Sequence, residues 1–89
     1  MFDIYWLISE DSAKTYIGYT NDLKRRIVEH KRGDTKSTKE FGNFRCLRIE
    51  KMLRLEEARK RERYWKSAAG RKKLKNFYNK IKNNYGPIV

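Results

Sequence analysis

Residues 2–9, FDIYWLIS, form a run of aromatic and β-branched side chains, and TYIGYT at 15–20 resumes that composition after the polar stretch EDSAK. Two such runs around a polar turn predict a β-hairpin. A turn centred on Glu10 and Asp11 places Tyr5 directly opposite Tyr16 on one face of the ribbon. Aromatic cross-strand pairs also pack well in ordinary sheets, so the pair alone does not mark a site. Gly18, two residues beyond Tyr16 on that face, leaves room for a ligand or for close approach of a helix.

The period then changes. Leu23, Arg26, Ile27 and His30 recur at helical spacing, Asn21 or Asp22 stands where a cap belongs, and Gly33 stands where a helix stops. A helix is predicted over about 22–32. The polar segment DTKSTKEFGN has no apolar period and reads as an exposed loop. FRCLRIEKM then reads as a third strand, with Phe44, Cys46 and Arg48 alternating against Arg45, Leu47 and Ile49. Helical spacing returns at Leu55, Ala58, Glu62, Trp65 and Ala69, with Gly70 breaking that helix before Leu74, Phe77, Tyr78 and Ile81 mark another. The order ββαβαα predicts an α+β domain over residues 1–82, a small antiparallel sheet covered by helices, with NNYGPIV at 83–89 as a fraying tail.

At 89 residues the chain holds one domain with a modest core. Its 23 Lys and Arg against 11 Asp and Glu leave a formal charge of +12, which draws such a protein to a polyanion, nucleic acid first. Cys46 is the only cysteine, so an internal disulfide is excluded, and with a single histidine the usual four-ligand zinc site is excluded too. A reducing compartment suits that composition. No apolar run approaches the ~18 residues of a membrane span, and the first residues do not resemble a signal peptide, so the expected location is the cytoplasm.

Three polar side chains sit on the apolar stripes. At 100° per residue, Arg26 and His30 accompany Leu23 and Ile27, whereas Arg25 falls on the opposite side of the helix. On the later helix Glu62 lies in the middle of the stripe of Leu55, Ala58 and Trp65. A buried charge costs several kcal/mol unless it is paired or bound to a metal, so three exceptions ask for one explanation. Either they share a functional site, or Arg26 and Glu62 form a structural ion pair across the helices while His30 donates to a backbone carbonyl.

Taken together, DIY at 3–5, YIG at 16–18, Arg26, His30 four residues later and a downstream A-x-x-x-E-x-x-x-K at 58–66 resemble the GIY-YIG nuclease superfamily. The resemblance runs from about Phe2 to about Ile81. It is strongest to small members that contain little beyond the nuclease module, and extends to the incision module of bacterial nucleotide-excision repair. It implies a three-stranded antiparallel sheet flanked by helices, one divalent cation, and hydrolysis of a phosphodiester. Carried over residue by residue, it makes Tyr5 and Tyr16 the signature tyrosines, Arg26 the phosphate clamp, His30 its neighbour, and Glu62 the metal-binding carboxylate. A single Mg²⁺, or Mn²⁺ in its place, is an acceptable guest for one carboxylate plus waters and phosphate oxygens. A tyrosinate would be the base, Tyr16 ahead of Tyr5, with His30 relaying or holding the proton. Asp3 departs from the glycine of the motif name, and Asn76 and Asn79 are both candidates for the asparagine that many members carry after the glutamate.

Three functions follow. The first is a metal-dependent DNA endonuclease, without a small-molecule cofactor, acting in DNA repair or recombination. Lys24, Arg25, Lys31, Arg32, Arg59 and Lys66 are its candidate nucleic-acid contacts. The second is a non-catalytic binding module whose basic runs, including GRKKLK at 70–75, grip phosphates in a salt-sensitive way. The third is an interaction subunit of a larger repair complex. No segment is suited to enter a groove and read bases, so recognition of DNA structure is expected over a long target sequence. The oligomeric state is left open.

Overall fold

Alternation along the first strand divides the molecule into two cores. In the computed structural model, which describes residues 1–12 and 14–84, the chain runs β1 (Phe2–Ser9), β2 (Thr15–Thr20), α1 (Leu23–Lys31), a 3-10 turn (Lys36–Thr38), β3 (Phe44–Met52), α2 (Leu55–Lys66) and α3 (Ala68–Asn84). The three strands form one antiparallel sheet in the order β2-β1-β3, so the fold is α+β with the expected ββαβαα order. β1 is central and covered on both faces, which is why FDIYWLIS is apolar almost throughout. Ile4, Trp6 and Ile8 join Ile17, Leu47, Ala58 and Leu74 in a core with α2 and α3. Tyr5 and Leu7 point the other way, into a core with Cys46 and Phe41 that Leu23 and Ile27 of α1 flank. Burial pushes the Cys46 thiol up to about 11, so it stays protonated and inert.

The hairpin register differs from the expected one. Tyr5 pairs with Gly18 and Leu7 with Tyr16, a slip of two residues, because Ser9 closes a longer turn. The Ser9 amide donates to the Lys14 carbonyl, while its hydroxyl accepts from the Asp11 and Ser12 amides at 3.2 and 3.0 Å. A two-residue slip preserves the face, so the tyrosines remain neighbours diagonally, with ring centroids 6.1 Å apart. β3 also departs from simple alternation. Ile4 pairs with Glu50 and Tyr5 with Arg48, leaving Ile49 as a bulge. The bulge turns Glu50 toward α2, where one oxygen accepts from Arg61 Nε at 2.7 Å and from Trp65 Nε1 at 2.6 Å.

Asp22 caps α1 by accepting the Arg25 amide at 3.1 Å, and Gly33 follows the helix with φ of 76°. The boundary between the last two helices was expected at Gly70 but lies at Ser67, whose extended backbone turns the chain. Ala69 therefore belongs to α3, where it is exposed. Gly70 serves contact instead: a Cβ there would lie 2.6 Å from Trp65 Cα, so only glycine lets α3 start so close to the end of α2. The 34–43 segment was expected to be exposed, yet Thr38 and Phe41 are buried and the Phe41 carbonyl accepts from the Ser9 hydroxyl at 2.6 Å. Phase explains the miss, since single inward residues in a loop leave no period. The Ile81 side chain and residues 85–89 of the expected tail lie outside the described residues, whereas 83 and 84 complete α3. Among the described residues, no helix is long and apolar enough to cross a membrane.

Candidate active site

Register and helix phase bring Tyr5, Tyr16, Arg26 and His30 together between β1, β2 and α1. His30 is almost fully buried, with Nε2 2.9 Å from the Tyr5 hydroxyl and Nδ1 2.5 Å from the Thr38 hydroxyl. Burial and the neighbouring Arg26 charge lower its pKa to about 4, so the ring is neutral at pH 7. A neutral imidazole has one donor and one acceptor nitrogen. Arg26 Nε donates to the Tyr5 hydroxyl at 3.4 Å. With that lone pair used, Tyr5 donates to Nε2 and Nδ1 donates to Thr38, giving a continuous chain from Arg26 to Thr38. Burial holds Tyr5 well above the usual phenol range, despite the opposing hydrogen bond from Arg26. Tyr5 is therefore a neutral donor.

Arg26 reaches past Tyr5 to the molecular surface. Its Nη1 donates to Glu29 Oε1 at 2.9 Å, so Tyr5 and Glu29 aim the guanidinium together and raise its pKa further. The structural alternative, an Arg26–Glu62 pair with His30 on a backbone carbonyl, is not what forms: both partners of His30 are hydroxyls and the ion-pair partner of Arg26 is its own helix neighbour. Glu62 pairs with Lys66, one turn on, at 3.6 Å, which is beyond a good hydrogen bond.

Tyr16, Arg25, Arg26, Glu29 and Glu62 line one open cleft of about 430 Å³. Lys66 approaches its edge, 6.0 Å from the Tyr16 ring centroid. Of the other candidate nucleic-acid contacts, Lys24 is exposed on α1, Lys31 lines a separate recess beside Gly42 and Phe44, Arg32 pairs with Asp34, and Arg59 lies 3.4 Å from the Tyr19 hydroxyl. Asn76 and Asn79 are exposed on α3 and are not among the residues that line the cleft. The Asp3 carboxylate pairs with Arg48 of β3 at 3.1 Å.

The space over Gly18 was expected to admit a ligand or a helix, but the tyrosines themselves fill it. A Cβ at Gly18 would lie 2.7 Å from the Tyr5 oxygen and 2.9 Å from Tyr16 Cε1. Glycine is thus required for the two rings to cross the sheet at this point. A family model described as "GIY-YIG catalytic domain" matches residues 1–84. The chain belongs to the GIY-YIG family. The contact of Gly18 with both rings ties Tyr5 of β1 sterically to the Tyr16–Gly18 segment of β2. No curated protein and no solved structure matches the chain significantly. GIY-YIG domains are nucleases as a class, which assigns a phosphodiesterase at the coarse level.

The residues present fit a divalent cation of the hard, oxygen-seeking kind. Glu62 is part-buried at the cleft, and its one ion pair among the described residues is long. Among the described residues no three His, Cys, Asp or Glu side chains cluster, so a cage built from protein alone is absent. Mg²⁺ does not need one, because it keeps several waters and takes phosphate oxygens. Two contributors escaped the sequence reading. Glu29 had a signal, an acid three residues after Arg26 on the same helix. Thr38 had none, since only the tertiary path of the loop brings its hydroxyl to His30.

Proposed function

We propose that the protein is a divalent-metal-dependent endonuclease that hydrolyses DNA phosphodiester bonds, selects DNA by structure, and serves repair or recombination. The observation that carries this reading is the convergence of Tyr16 from β2, Arg26 from α1 and Glu62 from α2 on one open cleft. Arg26, already aimed by Tyr5 and Glu29, stabilises negative charge growing on the phosphoryl oxygens. Glu62 is the residue that would hold Mg²⁺ or Mn²⁺, which would supply charge neutralisation at the scissile phosphate and at the leaving oxygen. Tyr16, the signature tyrosine that lines the cleft, takes the proton of the attacking water. Tyr5 is unsuited to that role because burial keeps it protonated; it positions Arg26 instead. His30 accepts from Tyr5 and holds that hydroxyl in place, and Thr38 sets the imidazole tautomer. Arg25 and Lys66 flank the cleft and bind adjacent phosphates, while Lys24, Lys31, Arg32 and Arg59 supply more distant charge.

A panel of labelled duplex, branched, single-stranded and RNA substrates, incubated with Mg²⁺ and with chelator, tests this reading. The expected result is cleavage of DNA in Mg²⁺ and none in chelator, reduced by about 10²- to 10³-fold in Glu62→Ala and Arg26→Ala with little change in melting temperature. Undiminished cutting by purified Glu62→Ala would falsify the mechanism. Intact substrate throughout, with salt-sensitive binding, would make the domain a binding module.

A further inference from the structure

The sheet face opposite the tyrosines carries a cleft that the reaction above leaves unused. It measures about 760 Å³, against about 430 Å³ for the cleft of Tyr16 and Glu62. Trp6, Ile8 and Ile17 of the sheet and Leu74 of α3, all buried in the core, form its apolar floor, the half-buried Tyr78 ring lines one side, and Lys14, Arg71 and Lys75 supply the cations. The charge is unbalanced in a way that α1 and α2 are not. There, Arg25 and Arg26 meet Glu29, Arg61 meets Glu50, and Lys66 meets Glu62. The α3 segment contains no acidic residue at all, and among the described residues Arg71 and Lys75 make no ion pair. Like charges one turn apart weaken a helix, a cost that an anionic ligand removes. Lys14 pairs with Glu40, but both side chains are mostly exposed, so little holds them together.

An apolar lining with cationic edges suits a polymer that alternates flat bases with phosphates. The two clefts also adjoin. Thr15 and Ile17 of β2 line this one and Tyr16, between them, lines the other, so only the edge strand separates them. Lys66 stands by the Tyr16 ring at the end of α2, and the chain passes from there through Ser67 to Arg71. Positive charge thus continues from Arg25 and Arg26, past Lys66, to Arg71 and Lys75.

We infer that the cleft of Trp6, Leu74, Arg71 and Lys75 holds a single-stranded arm of the DNA whose backbone lies at Arg26 and Glu62. The substrate class is then a duplex that bears such an arm next to the scissile bond. This rests on the nuclease reading for the second half of the claim, and the two are separable by experiment.

Arg71→Ala/Lys75→Ala is compared with wild type and with Lys36→Ala/Lys39→Ala, which removes equal charge elsewhere. Both pairs are exposed, and thermal melts verify folding. Binding to labelled flap DNA, an oligothymidylate and a duplex without an arm is measured by anisotropy in chelator over a range of salt. Two lost phosphate contacts should weaken flap and oligothymidylate binding on the order of 10-fold and lower the salt slope by about 1.4, while duplex binding stays as in wild type. The Lys36/Lys39 variant should leave the flap preference intact. Equal losses on all three DNAs, no loss on the flap, or no binding of armed DNA by wild type would each overturn the inference; in the last case an acidic protein becomes the partner to seek. Arm-dependent binding without any cleavage in Mg²⁺ would leave the cleft standing and sink the nuclease reading alone. Cleavage with the same KM on flap DNA in the Arg71/Lys75 variant would do the reverse.

Discussion

Ile4 and Tyr5 are consecutive residues of the same strand, both almost fully buried, yet they enter two different interiors. On the side of Ile4 the buried groups are apolar, and stability comes from area removed from water and from close packing. On the side of Tyr5 a phenol, an imidazole and a threonine hydroxyl are buried beside Leu7 and Cys46. That side survives because its polar atoms meet one another along one chain of hydrogen bonds. The difference teaches that a central strand supports a site when one face carries the packing and the other is free to spend its geometry on orienting a charged group.

The largest expected effect in stability is on the packing side. Ile4→Ala removes fully buried methyl groups and should cost about 2–5 kcal/mol in a urea melt. A loss below 1 kcal/mol would show that the helix-covered face is not the main support. Acid acts next, on the polar side. Above pH 6.5 His30 is neutral folded or unfolded; between 6.5 and about 4 only the unfolded chain takes up the proton. Stability contributed at this position therefore falls as pH drops through that window and levels off below it, by about 3 kcal/mol at most. His30→Gln should flatten that part of the profile in parallel melts, and an unchanged slope would remove His30 as its source.

Gly18→Ala forces the Tyr5 oxygen and the Tyr16 ring aside, and overpacking of this kind costs about 1–3 kcal/mol. Cleavage should suffer beyond the stability loss, because Tyr5 aims Arg26. Equal cleavage at a temperature where the variant stays folded would separate the motif glycine from the chemistry. Thr38→Val is the mildest change, with about 1 kcal/mol lost for the hydrogen bond to His30. Its diagnostic readout is the pH dependence of cleavage, which should shift, whereas Thr38→Ser should restore the wild-type profile.

How much of this was legible beforehand follows from the kind of information each feature carries. The aromatic and β-branched composition of FDIYWLIS and TYIGYT, and the spacing of Leu23, Ile27 and His30, are local patterns that name their elements directly. Arg26, His30 and Glu62 stood out because charge or polarity on an apolar stripe breaks such a pattern. The hairpin register was missed because Ser9, a hydroxyl with no periodic signature, decides the turn. Gly70 reads as a breaker in the sequence because composition cannot distinguish a chain that must bend from two backbones that must touch.

The sequence by itself determined which segments are strands and helices, which faces seek the interior, and that the surface is strongly cationic, since each depends on residue type and short-range spacing. Tertiary structure alone decided that Glu29 and Tyr5 share Arg26, that Thr38 reaches His30, and that Glu62 shares a cleft with Tyr16. Apart from the Arg26–Glu29 pair within α1, those contacts join residues from separate elements, and their distances depend on register, bulge and helix crossing rather than on any one stretch of chain.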